Sequence, residues 1–262
     1  MEISVSDAKS IRDAIDTEIR RPLSIAVFGQ TGVGKSTLIN SIFKTNLKTS
    51  NSEPCTDTPT IIDVKSGNST LRFIDLPGFG ETNDIDENRE SDWKKHLEKA
   101  DVLLVVTFST SRSIDLEIDR VKKLVDESKL RDVIFVCNQT DRLDIPEGWL
   151  YSLVDDRIEV VPREGIKNLI AAKSDYIQKR VDASFSEDCK VIYCSALSGH
   201  GLLELCMEIH SRIPKEARLS FNELTNARKI GVISRGEYSK FVPRIYTNGR
   251  TQKVIFKAKM FQ

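Results

Sequence analysis

Gly29-Gln30-Thr31-Gly32-Val33-Gly34-Lys35-Ser36-Thr37 decides the reading of this chain. The run has the form G-x-x-x-x-G-K-[ST]. It stands directly after the apolar stretch Leu23–Phe28 and before a helical segment over residues 36–43. Glycines at these positions let the backbone wrap a phosphate chain, so that N–H groups and the following helix N-terminus point inward. Lys35 then reaches the outer phosphates and the Ser36 hydroxyl can ligate magnesium. A chance match would lack the flanking strand and helix, and both are present.

Outward from this loop, apolar runs alternate with helical patterns. Leu23–Phe28, Ile61–Lys65, Leu71–Leu76, Val102–Phe108, Val133–Cys137 and Val191–Cys194 read as strands. Helical segments are expected around 36–43, 86–99, 115–128, 166–183 and 202–212. Such alternation predicts an α/β fold with a mostly parallel six-stranded sheet covered by helices on both faces. Ligands of such sheets bind at the carboxyl ends of the strands. A less regular stretch, Arg142–Gly165, offers Trp149, Leu150, Leu153 and Val154 as a short helix.

Two further segments bear on the base that accompanies the phosphates. Asn138-Gln139-Thr140-Asp141 follows a strand, on the same sheet edge as the phosphate loop. Asp141 there can accept two hydrogen bonds from guanine, from its ring N–H and its exocyclic amine. Adenine would leave the carboxylate desolvated and unpaired. Ser195-Ala196 follows the next strand, where the Ala196 N–H is expected to meet the guanine carbonyl. On its own an N-x-x-D reads as an ordinary strand-end turn; its place in the strand order gives it meaning. Asp75-Leu76-Pro77-Gly78 ends another strand, 40 residues after Lys35. Read functionally, Asp75 binds magnesium through water and the Gly78 N–H contacts a γ-phosphate; read blandly, it is a turn closed by Pro-Gly.

In this order the four segments resemble a P-loop GTPase, with a Ras-like G domain over residues 23–213. The Asp-x-Pro-Gly turn and the run Ser195-Ala196-Leu197-Ser198-Gly199-His200-Gly201-Leu202 are similar, more narrowly, to the Era/EngA-type bacterial branch of the TRAFAC class. The resemblance implies binding of GTP and GDP with Mg²⁺ through Gly29, Gln30, Thr31, Gly32, Val33, Gly34, Lys35, Ser36, Thr37, Asn138, Gln139, Asp141, Ser195 and Ala196. It further implies hydrolysis assisted by Lys35, Thr56 and Gly78, and metal ligation by Ser36, Thr56 and Asp75. Pro54-Cys55-Thr56-Asp57-Thr58 falls where that branch has its first switch; Thr56 aligns best with the switch threonine, and Thr58 is the second choice. Asp57 replaces the usual Arg of this switch, and Gln139 replaces the usual Lys of the guanine motif.

Two more departures bear on turnover. Phe79 stands where Ras-type enzymes keep a water-orienting Gln, so intrinsic hydrolysis is expected at about 10⁻⁴–10⁻² s⁻¹. Gly32 stands where potassium-activated relatives carry an Asn, so potassium is not expected to stimulate. Acceleration then falls to a partner, or to a second copy in a GTP-dependent homodimer. An interaction module that binds GTP, hydrolyses almost nothing and acts by docking is the alternative expectation. No role in catalysis is expected for His96, His200 or His210. Asp84, Asp86, Glu87, Glu90 and Asp92 read as a solvated helix face, and Trp93 with Leu97 as core packing.

Composition bounds the rest. The chain has 262 residues, 39% hydrophobic and 30% charged, enough to bury a core and too apolar for a disordered class. No apolar stretch approaches the roughly 20 residues of a membrane span. The start Met1-Glu2-Ile3-Ser4 has no secretion-signal pattern, and the five scattered cysteines suit a reducing cytoplasm. Residues 1–22 read as an N-terminal amphipathic helix with Ala8, Ile11, Ile15 and Ile19 at helical spacing. Residues 214–262 read as a basic extension. A capping box at Ser220 and Glu223 opens a short helix, and Asn248-Gly249 marks a β-hairpin. Overall charge is zero, yet from Lys215 onward eleven basic residues face three acidic ones, a net of +8. Such a tail suits ribosome, RNA or an anionic lipid surface as partner, or is merely a solvated face. Its apolar residues are too few to form a core alone and must dock elsewhere.

Overall fold

A computed structural model describes residues 22–43, 45, 58–66, 69–79, 83–127, 130, 132–143, 145, 148–154, 157–185, 188–213, 221 and 232–234. The main sheet contains six strands in the order β2 (Thr60–Ser66), β3 (Ser69–Asp75), β1 (Leu23–Gly29), β4 (Val102–Phe108), β5 (Asp132–Asn138) and β8 (Lys190–Tyr193). All neighbours run parallel except β2, which returns antiparallel on β3. Among the described residues five helices flank it: α1 (Lys35–Ile42), α2 (Asn83–Leu97), α3 (Asp115–Glu127), α4 (Glu164–Ser184) and α5 (Leu202–Arg212).

Strand residues alternate between two cores because successive side chains point to opposite faces. Ile25, Val27, Leu104, Val106, Ile134 and Val136 pack under Leu38, Ile39 and Ile42 of α1 and Leu205 and Ile209 of α5. Ala26, Phe28, Leu103, Val105, Val133 and Phe135 meet the other face, where Trp93 and Leu97 of α2, Ile118 and Val121 of α3, and Ile177 and Val181 of α4 close over them. Burial on both faces is why these strands read as unbroken apolar runs rather than alternating ones.

The stretch expected to be a short helix near Trp149 is instead a hairpin. β6 (Trp149–Val154) pairs antiparallel with β7 (Arg157–Pro162), Trp149 opposite Pro162 and Val154 opposite Arg157. The helical spacing of its apolar residues is outweighed by ladder hydrogen bonds that become available only once β7 folds back. A third strand, β9 (Val232–Ser234), adds antiparallel to β7 with Glu159 opposite Val232, making a separate three-stranded sheet. The extension also touches the main body through Phe221, buried edge-on against Phe43 at 5.5 Å between centroids. The remainder of the expected tail helix, the Asn248-Gly249 hairpin and the helix over 6–20 lie outside the described residues. No helix among the described residues is long and apolar enough to cross a membrane.

Candidate nucleotide site

Parallel pairing brings the strand ends together: Gly29 registers with Val106, Val27 with Asp75, and Phe108 with Asn138. The loops that follow β1, β3, β5 and β8 at this edge each carry one of the expected motifs. Gly34 begins α1 at φ 90°, a left-handed conformation that costs a side-chain-bearing residue about 1–2 kcal/mol. A Cβ there would also sit 2.9 Å from Asn138 Nδ2. Glycine is therefore required twice over, by backbone conformation and by the approach of the loop that carries Asn138.

Lys35 turns back over the loop it follows, its Nζ donating to the carbonyls of Gly29 (3.1 Å) and Gln30 (3.2 Å). Ser36 Oγ donates to Asp75 Oδ2 at 2.6 Å. Asp75 is 1% exposed, and its Oδ1 is buried with no hydrogen-bond partner. Burial raises its pKa, while the Ser36 hydrogen bond and the Lys35 charge pull it down. An orphaned carboxylate oxygen beside a hydroxyl fits a hard divalent cation, which typically takes one or two protein oxygens alongside phosphates and water. Gly78 presses on the phosphate loop so closely that a Cβ would lie 2.4 Å from Thr31 Oγ1. Arg89 of α2 donates to the Gly78 carbonyl (3.0 Å). Phe79 points into the core, 1% exposed, stacked on Phe28 at 4.9 Å, with the Arg120 guanidinium over its ring.

At the other end of the edge, Asn138 ties three loops together. Its Nδ2 donates to the Val33 carbonyl (2.9 Å), and its Oδ1 accepts from the Ala196 N–H (3.1 Å). A base carbonyl arriving here would thus meet an N–H already engaged, a feature the sequence does not disclose. Gln139, at φ 67°, reaches over to donate Nε2 to the Gly32 carbonyl (3.1 Å). Asp141 Oδ1 accepts from Ser195 Oγ at 2.5 Å, and Ser195 Oγ also accepts the Ser198 N–H (3.0 Å). Ser41 Oγ of α1 donates to the Ala196 carbonyl (2.8 Å). Gly29–Thr37, Asp75, Gly78, Asn138, Gln139, Asp141, Ser195 and Ala196 therefore share one edge. Thr56 lies outside the described residues; Thr58 is exposed, two residues before β2.

Sequence reasoning passed over Glu117. This carboxylate of α3 is 3% exposed and accepts Gln30 Nε2 (3.0 Å) and Thr107 Oγ1 (2.9 Å) at one oxygen, with its pKa raised by burial. A signal existed, for Glu117 lies between Ile114 and Val121 on the helix's apolar stripe, where a charge needs partners. The four described cysteines are buried free thiols; burial pushes Cys137 up to about 12, which makes it inert.

Residues 24–139 match the family model described as 50S ribosome-binding GTPase. The Escherichia coli protein YkfA is 27% identical over 125 residues, 47% of this chain and 44% of that protein. The tRNA modification GTPase MnmE of Porphyromonas gingivalis is 30% identical over 127 residues, 48% of this chain and 27% of that protein. Among solved structures, Era in complex with MgGDPNP and nucleotides 1506–1542 of 16S ribosomal RNA superposes with a TM-score of 0.55. It is 24% identical, over 74% of this chain and 58% of that one. The chain thus spans less than half the length of the two curated relatives. Residues 24–139, under half of the chain, thus resemble the 50S ribosome-binding GTPase model, on a fold shared with Era.

Proposed function

We propose that this protein binds GTP and GDP and hydrolyses GTP to GDP and phosphate as a slow, Mg²⁺-dependent switch. The observation that carries the reading is the Asn138 bridge. One buried amide holds the phosphate loop, the N-x-x-D turn and the Ser195–Ala196 loop together. A pocket so linked suits a ligand with phosphates at one end and a base at the other. The hydrogen bond from Ser195 that holds Asp141 supports its role as acceptor from guanine; a pocket built to take that hydrogen-bond pair rejects a purine lacking it by large factors.

On substrate binding, Lys35 exchanges its loop carbonyls for the outer phosphates, a charge-assisted contact stronger than the neutral ones it leaves. Ser36, Asp75 and Thr56 would hold magnesium, which would supply neutralisation of the negative charge of the phosphates. Gly78, beside Thr31, offers its N–H to the γ-phosphate, and the Gly78 turn and the segment around Thr56 are the parts that sense its loss. With Phe79 sealed in the core, no side chain at that position orients water, so a partner or a second copy must accelerate turnover.

Ribosome or RNA association in the cytoplasm follows from two supports, the +8 tail and relatives of which Era binds 16S ribosomal RNA. Calorimetry with GDP, a non-hydrolysable GTP analogue and ATP, each with magnesium, tests the site. Tight guanine binding with no ATP signal is expected; equal binding of both, or of neither, overturns it. Turnover measured with and without ribosomes then separates the switch from a docking module that hydrolyses almost nothing.

A further inference from the structure

The accessory sheet β6–β7–β9 has no assigned role, yet it meets the base-reading loops through two aromatic residues. Trp149, the first residue of β6, is 6% exposed and packs edge-on against His200 at 5.2 Å between centroids. Its Nε1 donates to the Leu143 carbonyl (3.3 Å), directly after the N-x-x-D turn, and Leu143 donates its N–H to the Thr140 carbonyl (2.9 Å). His200 lies within the Ser195–Leu202 run and joins both base-reading segments. Its backbone carbonyl accepts the Ser195 N–H (2.8 Å), and its Nδ1 shares a hydrogen bond with Thr140 Oγ1 (3.2 Å). Thr140 in turn donates its N–H to the Cys194 carbonyl (3.1 Å). Leu143, Trp149, Val160 and Ile166 form a small core of their own, with Leu197 packed against it. Two loops that must hold a base in register are thus braced by a sheet whose last strand comes from some 70 residues further along the chain.

We infer that His200 is a positioning residue for the guanine pocket, and that the β6–β7 hairpin carries the seating of strand β9, paired at Arg157–Glu159, to Trp149 at its other end and so to His200, which couples docking of the C-terminal segment to guanine-nucleotide affinity. The coupling rests on the guanine reading given above. It is reciprocal: whatever draws β9 off β7 weakens nucleotide binding, and bound nucleotide holds β9 on. The segment carrying β9 continues into the basic tail, which gives a partner of the tail a physical route to nucleotide release.

The test is a double-mutant cycle on the full chain, read by release of a fluorescent N-methylanthraniloyl-GDP. Ile233→Pro interrupts β9 opposite Ile158, and Trp149→Ala removes the ring that meets His200. Each single variant is expected to release nucleotide at least fivefold faster than the parent, and the double variant no faster than the quicker single, as for residues on one route. Trp149→Phe, which keeps an aromatic edge for His200, should stay within twofold of the parent. His200→Ala should lose discrimination between GDP and ADP as well as affinity. Parent-like release from both single variants, or strictly multiplicative effects in the double, would overturn the coupling while leaving guanine binding intact. Failure of the unmodified chain to bind GDP would overturn both.

Discussion

Replacing Asn138 by Ala should be among the most damaging single changes at this edge, and its cost can be worked from the bonds lost. The side chain makes two good hydrogen bonds, to the Val33 carbonyl at 2.9 Å and from the Ala196 N–H at 3.1 Å. Each contributes about 1 kcal/mol net, and leaving a buried polar group unpaired adds about 1–3 kcal/mol. Val33 is fully buried, so its carbonyl carries that penalty, whereas the half-buried Ala196 can turn to water. The expected destabilisation is about 3–5 kcal/mol, which for a chain of this size lowers the melting temperature by about 6–20 °C. Differential scanning calorimetry without nucleotide measures it directly. Asn138→Asp is the discriminating companion. It preserves volume and the acceptor for Ala196 but sets an oxygen against the Val33 carbonyl, so it should be about as damaging as Ala. A melting point within 2 °C of the parent for either variant would refute the account of Asn138 as the brace between loops. Damage by Ala but not by Asp would show that lost volume, rather than the donated hydrogen bond, is what matters.

Asp141→Asn should weaken GTP by about a hundredfold, the loss of two charge-assisted hydrogen bonds, and favour xanthosine triphosphate, whose carbonyl accepts from the new amide; calorimetry with both nucleotides checks it, and unchanged GTP affinity would mean that Asp141 does not touch the base. Replacing sodium by potassium should change turnover by less than tenfold, because Gly32 brings no side chain to hold the ion. Burial lowers the pKa of His200 below its ordinary value of 6.5. The unfolded chain therefore takes up this proton first on acidification, and the contribution of His200 to stability, complete above pH 6.5, is lost as pH falls through its folded pKa. Burial raises the pKa of Asp75 and of Glu117, so their contributions run in the opposite sense, gaining stability as pH falls. The difference between parent and His200→Gln in urea midpoint from pH 7.5 to 5 isolates the histidine, and parallel curves would sink the assignment.

The six strands of the main sheet were legible to within two residues at each end. So were all five helices, apart from the start of α2, which comes three residues before its expected 86. The Gly29–Thr37 loop was legible for the same reason: its conformation is written in nine consecutive residues. Phe79 shows the limit in one direction. Its identity removed a water-orienting group, but only the fold turns the ring into the core under Arg120. The misread hairpin shows it in the other, since Trp149–Val154 carries a spacing that a helix could also use until β7 supplies partners.

Sequence by itself determined the fold class, the Gly29–Thr37 loop and the turn at Asn138–Asp141, because period, glycine placement and strand-end turns act over a few residues. Tertiary structure alone decided that Gln30 meets Glu117 across 87 residues, that Asn138 reaches Val33 across 105, and that β9 completes a sheet begun at Trp149. Those contacts depend on sheet register and on which faces pack together, and neither is encoded in any local stretch of chain.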